Sequence, residues 1–216
     1  MLPIQRSKQL IKLTRGQLGL GYALLVLLFL LVGVFCLLSG TDPRTFTSDP
    51  NSIHNVHPFK SCISYIGVLL WNSAACVALF ASFLLYSRNH TQSTFFFITG
   101  LATFYLMLDD LFMLHEDIWP GVLPISQTAI LVAYMLMAIG YLTLFWKNIL
   151  HYEYGILITA FCLFAASILY DLTMPQYESF HPLVEEWFKL AGSFTWLVFL
   201  ARSSFGLLTT SKPEPN

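Results

Sequence analysis

Charge is scarce in this sequence. Of its 216 residues only 11% are Asp, Glu, Lys or Arg, whereas a soluble globular domain carries about 25%. With 56% hydrophobic residues, the chain lacks the polar surface to coat a soluble fold, and an all-α integral membrane protein is expected. No stretch is rich in Lys and Arg, so nucleic acid is excluded as a partner. The four cysteines, Cys36, Cys62, Cys76 and Cys162, lack the close pairing of a CxxC metal or redox motif and read as buried thiols. Also missing are a glycine-rich phosphate loop, desaturase-like histidine boxes, the Glu-x-x-His pairs of di-iron bundles and a Ser-His-Asp order.

What the chain does contain is apolar runs near the ~20 residues needed to cross a bilayer. Six are placed at about 18–39, 62–87, 94–117, 122–147, 154–173 and 183–201. The first is too long for a signal-peptide core and lacks a small-residue cleavage site, so it is expected to be a retained span. Short connections such as "RNHTQS" and "IWPG" point to one compact bundle, without a soluble domain. Arg6, Lys8, Lys12, Arg15, Arg88, Lys147, Arg202 and Lys212 fall on one side of six spans, and only Arg44 and Lys60 on the other. The positive-inside rule then places both termini in the cytoplasm. The expected organisation is a cytoplasmic segment over 1–17, a six-helix transmembrane domain over 18–201 and a cytoplasmic tail over 202–216. The "NHT" at Asn89 matches a glycosylation sequon, but on this topology it is cytoplasmic and idle.

The acids separate the other way. Glu153 and Glu214 are cytoplasmic, and the remaining ten of the twelve lie on or toward the outer side. The stretch "LMLDDLFMLHED", Leu106 to Asp117, sets Asp109 about 12 Å below the outer end of a helix continued to Asp117. Lys189 lies about 6 Å below Glu185 on the same reckoning. Charges at such depth are costly and are expected to face protein or water and to find partners. On a regular helix Asp109, Asp110, Met113, Glu116 and Asp117 share one arc, and on the last helix Glu185, Glu186, Lys189, Gly192, Ser193 and Trp196 share another. Asp171 ends the fifth helix on the same side, Asn72 lies at comparable depth on the second, and Gln127, Tyr134 and Tyr141 form a softer stripe on the fourth. The expectation is an outward-facing acidic cavity in which Asp109, Asp110, Glu116, Asp171, Glu185 and Glu186 bind a cation or proton. Lys189 is its counter-ion, and Asn72 and Ser193 line it.

Each feature has a structural alternative. Glu116, Asp117, Glu185 and Glu186 fit solvated helix ends. Asp109, Asp110 and Lys189 fit an ion pair that locks two helices. His115 projects more than about 90° from the acid arc on a regular helix and is read as a packing or headgroup-facing residue. Chemically, carboxylates without clustered Cys or His suit a hard divalent cation, Mg²⁺, Ca²⁺ or Mn²⁺, with Asp109, Asp110 and Glu116 as the ligands. Adjacent aspartates beside one cation cannot both stay charged cheaply at low dielectric, so a proton is the other expected occupant.

"LLWN" (Leu69 to Asn72), "LDDLFML" (Leu108 to Leu114) and "EEWFKLAG" (Glu185 to Gly192) resemble helix signatures of the alkaline ceramidase group of membrane hydrolases, over fewer than twenty residues. The resemblance implies an intramembrane hydrolase with a zinc ion held by three histidines. Glu185 and Lys189 stand where the paired histidines of the last helix would fall. Three functional classes follow from the residues: a cation- or proton-binding or transporting protein, an intramembrane metal-dependent hydrolase, and an accessory subunit with membrane-protein partners. The lipid bilayer is the common setting.

Overall fold

The computed structural model describes residues 19–20, 22–23, 26–27, 30–42, 57, 61–173 and 181–210. The chain divides into two units, Met1–Lys60 and Ser61–Asn216. In the first, the described helix is α1, Leu30–Ser39, closed by Ser39 Oγ donating to the Phe35 carbonyl at 2.7 Å. Of the expected first span, 18–39, residues 18, 21, 24, 25, 28 and 29 lie outside the described residues, and the described ones are helical.

The second unit holds five helices long and apolar enough to cross a membrane, consistent with an integral multi-pass membrane protein in a lipid bilayer. They are α2 (Cys62–Leu85), α3 (His90–Phe112), α5 (Gln127–Ile149), α6 (Tyr154–Thr173) and α7 (His181–Thr210), with a short α4 (Trp119–Val122) between α3 and α5. No strand is present among the described residues. Apolar composition alone makes helix the solution here, because in hydrocarbon each backbone N–H must find its partner within the segment.

Helix α2 is the centre of the unit, packed against α3 and α7, while α6 packs on α7. Its inward face is built from Gly67, Trp71, Ala74, Ala75, Ala78 and Ala81, mostly small residues at helical spacing that let neighbouring backbones approach. Gly100 of α3 and Gly192 of α7 serve the same end: a Cβ on Gly100 would lie 2.7 Å from the Leu79 side chain, and one on Gly192 2.6 Å from Phe164. Aromatic rings fill the remaining space. Phe164 stacks on Trp71 at 5.1 Å, Phe95 meets Phe145 edge-on at 5.2 Å, and Trp196 donates its indole N–H to Thr103 at 3.0 Å.

Local signals set the helix ends. Asn89 is the N-cap of α3, its side chain accepting from the Gln92 N–H at 3.1 Å. Ser126 caps α5 in the same manner through the Ala129 N–H at 3.3 Å. The third expected span, 94–117, is corrected at both ends: it starts at His90, where Asn89 caps it, and stops at Phe112. At its far end Met113 adopts a left-handed conformation, φ 50° and ψ 46°, which breaks the right-handed ladder. The five residues Leu114–Ile118 then form a π-helical turn. The last helix is longer than the expected span 183–201 and runs on to Thr210, so residues 202–210 of the expected tail are helical.

Candidate acid–base site at one end of the helices

The Met113 turn determines the site. A regular helix would carry His115 away from Asp109, but the left-handed residue at Met113 interrupts the α-helical regularity, and the side chain of Asp109 caps the turn that follows. Asp109 Oδ1 accepts from the His115 backbone N–H at 3.0 Å, and Asp109 Oδ2 meets His115 Nδ1 at 2.6 Å. The reading of His115 as a packing or headgroup-facing residue is thereby corrected. It failed because 100° per residue applies only while the helix is α-helical.

Asp109 is only 4% exposed. Besides His115 it accepts from the Tyr134 hydroxyl on α5 at 2.8 Å. Tyr134 in turn contacts the Tyr105 hydroxyl at 3.1 Å, and Trp119 Nε1 donates to Tyr105 at 3.3 Å. On the opposite side of the imidazole, Nε2 lies 3.5 Å from Glu116 Oε1, a carboxylate whose side chain is 43% exposed. His115 thus bridges a solvated acid and a buried one. Burial of the ring opposes its protonation, yet the hydrogen bond and charge of Asp109, reinforced by Glu116, hold its pKa above the ordinary histidine value.

Asp110 is the neighbour in sequence and serves another helix. Its Oδ1 accepts from Lys189 Nζ of α7 at 3.2 Å, and the same amine contacts Glu186 Oε1 at 3.3 Å. The ion pair expected between α3 and α7 is therefore present. Asp110 Oδ2 is buried without a hydrogen-bond partner and lies 3.7 Å from where a Cβ on Gly67 would stand. Glu185 feels the charges of Lys189, Asp171, Glu186 and Glu116, so the acids of the π-helical turn, α6 and α7 form one electrostatic neighbourhood. Ser167 donates to the Glu185 carbonyl at 3.3 Å and ties α6 to α7 at this level.

Two expected lining residues are placed otherwise. Ser193 is fully buried but donates to the Lys189 carbonyl at 2.8 Å within its own helix. Asn72 is exposed, because the small-residue face of α2 takes the inward arc and leaves Asn72 about 100° away from Trp71. Asp109, Asp110 and Glu116 do not converge on a common point: among the described residues no group of three or more His, Cys, Asp or Glu side chains is gathered to hold a metal ion. Asp109 and Glu116 lie on opposite nitrogens of His115, and Asp110 is paired with Lys189. Tyr105 and Trp119 were not singled out as site residues by sequence, which carries no signal for a contact made beyond the left-handed Met113.

Of the softer stripe expected on α5, Tyr134 and Tyr141 attach it to α3, as does Asn148 beyond it, whereas Gln127 is exposed. Tyr134 bonds Asp109, Tyr141 contacts Thr99 at 2.9 Å, and Asn148 donates to Gln92 at 3.2 Å. These three residues recur every seven positions.

Residues 18–203 match the family model described as "Domain of unknown function (DUF8692)". No curated protein and no solved structure matches the chain.

Proposed function

The chain belongs to the DUF8692 family, and from the geometry of its acid–base cluster we propose that it binds and exchanges a proton at one end of its membrane-spanning helices. The observation that carries this reading is His115, whose two ring nitrogens face the solvated Glu116 at 3.5 Å and the buried Asp109 at 2.6 Å. An imidazole so placed takes a proton on one nitrogen and releases one from the other, which is the chemistry of a relay. Lys189 supports the same reading: it is paired with Asp110 and Glu186, which leaves Asp109 to His115 alone among the cationic side chains. The proton is favoured over a multidentate metal ion, because among the described residues no three His, Cys, Asp or Glu side chains are gathered on one point. A metal-dependent hydrolase gains no support from this arrangement. In the topology that accompanies the reading, six spans place both termini in the cytoplasm and the acids toward the outside.

A second reading, an accessory subunit of a larger membrane complex, is supported by one observation. Helices α5 and α6 bury only 17% of their most apolar windows within the chain, against 39% for α2, α3 and α7. The bilayer itself covers such faces equally well, so the proton reading is preferred.

The test is infrared difference spectroscopy of the reconstituted protein as pH is stepped across the ordinary histidine pKa of ~6.5. We expect imidazole and carboxyl bands that disappear together in His115→Gln and in Asp109→Asn. A native spectrum indistinguishable from that of His115→Gln would remove the proposal.

A further inference from the structure

Asp109 is surrounded by donors. Its Oδ1 accepts from the His115 N–H at 3.0 Å and from the Tyr134 hydroxyl at 2.8 Å, and its Oδ2 meets His115 Nδ1 at 2.6 Å. The directions along the string behind Tyr134 follow from counting hydrogens. A phenol has one, and Tyr134 gives its own to Asp109. At the 3.1 Å contact between the two phenols Tyr105 is therefore the donor. Trp119 has a single N–H, which goes to the Tyr105 oxygen at 3.3 Å. Each hydrogen bond in the string runs toward Asp109, and hydrogen bonds arranged in a chain polarise one another. The Tyr134 ring also meets the His115 ring edge-on, with centroids 6.2 Å apart, so the phenol is fixed against both members of the pair.

When the imidazole is neutral, the charge of Asp109 is uncompensated and leans on its donors; when the imidazole is protonated, the cation offsets that charge. A hydrogen bond to an acceptor strengthens with the charge it meets, so the Tyr134 contact is stronger in the deprotonated pair and favours it. Two further charges act on His115: Glu116 of its own turn favours protonation, and Lys189 of α7 opposes it. Helix α4, also packed against the turn, carries no titratable side chain. We propose that Tyr134, backed by Tyr105 and Trp119, is a positioning residue for the proton exchange, which holds Asp109 as an acceptor and sets the affinity of His115 for its proton. The inference rests on the proton reading above and adds its regulation. A side chain of α5 adjusts the pH at which a pair carried by α3 and the π-helical turn responds.

The experiment is an infrared pH titration of the full chain reconstituted in phosphatidylcholine, with the His115 band taken as the part of the native difference spectrum that is absent from His115→Gln. We expect Tyr134→Phe to move the midpoint of that band upward by roughly half to one pH unit. Tyr134→fluorotyrosine keeps the hydroxyl and makes it a stronger donor, so the midpoint moves downward. Tyr141→Phe, which removes a hydrogen bond from the same helix to Thr99, leaves the midpoint in place. A purely structural tie would lower the melting temperature in Tyr134→Phe and in Tyr141→Phe with the midpoint unmoved in both. That result overturns the inference, as does a downward shift in Tyr134→Phe or an equal shift in the two variants. Should Tyr134→Phe not fold, the fluorotyrosine variant decides, and an unmoved or raised midpoint there removes the proposal. The two proposals fail separately. A His115 band whose midpoint ignores position 134 leaves the proton reading standing without this control, whereas a native spectrum with no such band removes the proton reading and this inference with it.

Discussion

Asp109 and Asp110 are adjacent in sequence and bonded to different helices: Asp109 to His115 and to Tyr134 of α5, Asp110 to Lys189 of α7. Successive residues on a helix point about 100° apart, so one dipeptide joins two neighbours. The charge of Asp110 is matched by a permanent cation, that of Asp109 by one that comes and goes with pH.

The pair on the α7 side is a double-mutant cycle waiting to be run. Lys189→Met strands Asp110 without its cation, and breaking a buried pair from one side costs roughly 3–5 kcal/mol. We expect that loss for Lys189→Met in chemical unfolding from detergent, and a clearly smaller loss for Asp110→Asn combined with Lys189→Met. A loss in the double variant equal to the sum of the losses in Asp110→Asn and Lys189→Met would mean that the pair contributes no coupling.

His115 makes stability depend on pH with a defined sign. Its folded pKa is raised above the ordinary value, so its contribution is fully present below ~6.5 and is lost as pH rises through the folded value. Melting temperatures of the native chain should fall over that interval relative to those of His115→Gln. Parallel pH profiles for the two proteins would contradict this.

Tyr134, Tyr141 and Asn148 are separated by about 10 Å along α5, far enough for their contributions to add. Interhelical hydrogen bonds in membranes average ~0.6 kcal/mol with a maximum near ~1.7. Tyr141→Phe should therefore cost a few tenths to about 1 kcal/mol, and Tyr141→Phe with Asn148→Leu should equal the sum of the single changes. A non-additive double variant in the same unfolding assay would show that α5 moves as they are removed.

The glycines separate into tight and tolerant sites. At Gly192 an added Cβ meets Phe164 at 2.6 Å, and that ring is stacked on Trp71, so Gly192→Ala is expected to lose ~1–3 kcal/mol through overpacking. At Gly67 the nearest atom is Asp110 Oδ2 at 3.7 Å, an ordinary contact, and Gly67→Ala should be neutral or gain up to ~1 kcal/mol of helix propensity. Comparing the two melting temperatures checks the packing directly.

Met113 holds a left-handed conformation that costs a residue with a Cβ roughly 1–2 kcal/mol, and its side chain is exposed. Met113→Gly is thus expected to raise stability by about 1 kcal/mol while keeping the infrared response of His115. A destabilised variant would indicate that the methionine side chain holds the turn.

The sequence by itself determined that the chain carries helices apolar enough to cross a bilayer and roughly where those of the second unit lie, because these depend on composition and run length, which the bilayer reads locally. It also brought Asp110 and Lys189 together through depth and helical phase, which hold as long as α3 and α7 are regular. Tertiary structure decided the rest. Asn72 lost its inward place because helix rotation follows the best-packing face, and on α2 the alanines and glycine pack best. His115 gained Asp109 because the backbone reverses hand at Met113, a residue type with no preference for that conformation. A helical wheel cannot foresee such a break. The Asp109–His115 pair on which the proposed function rests was in that sense decided by one backbone dihedral.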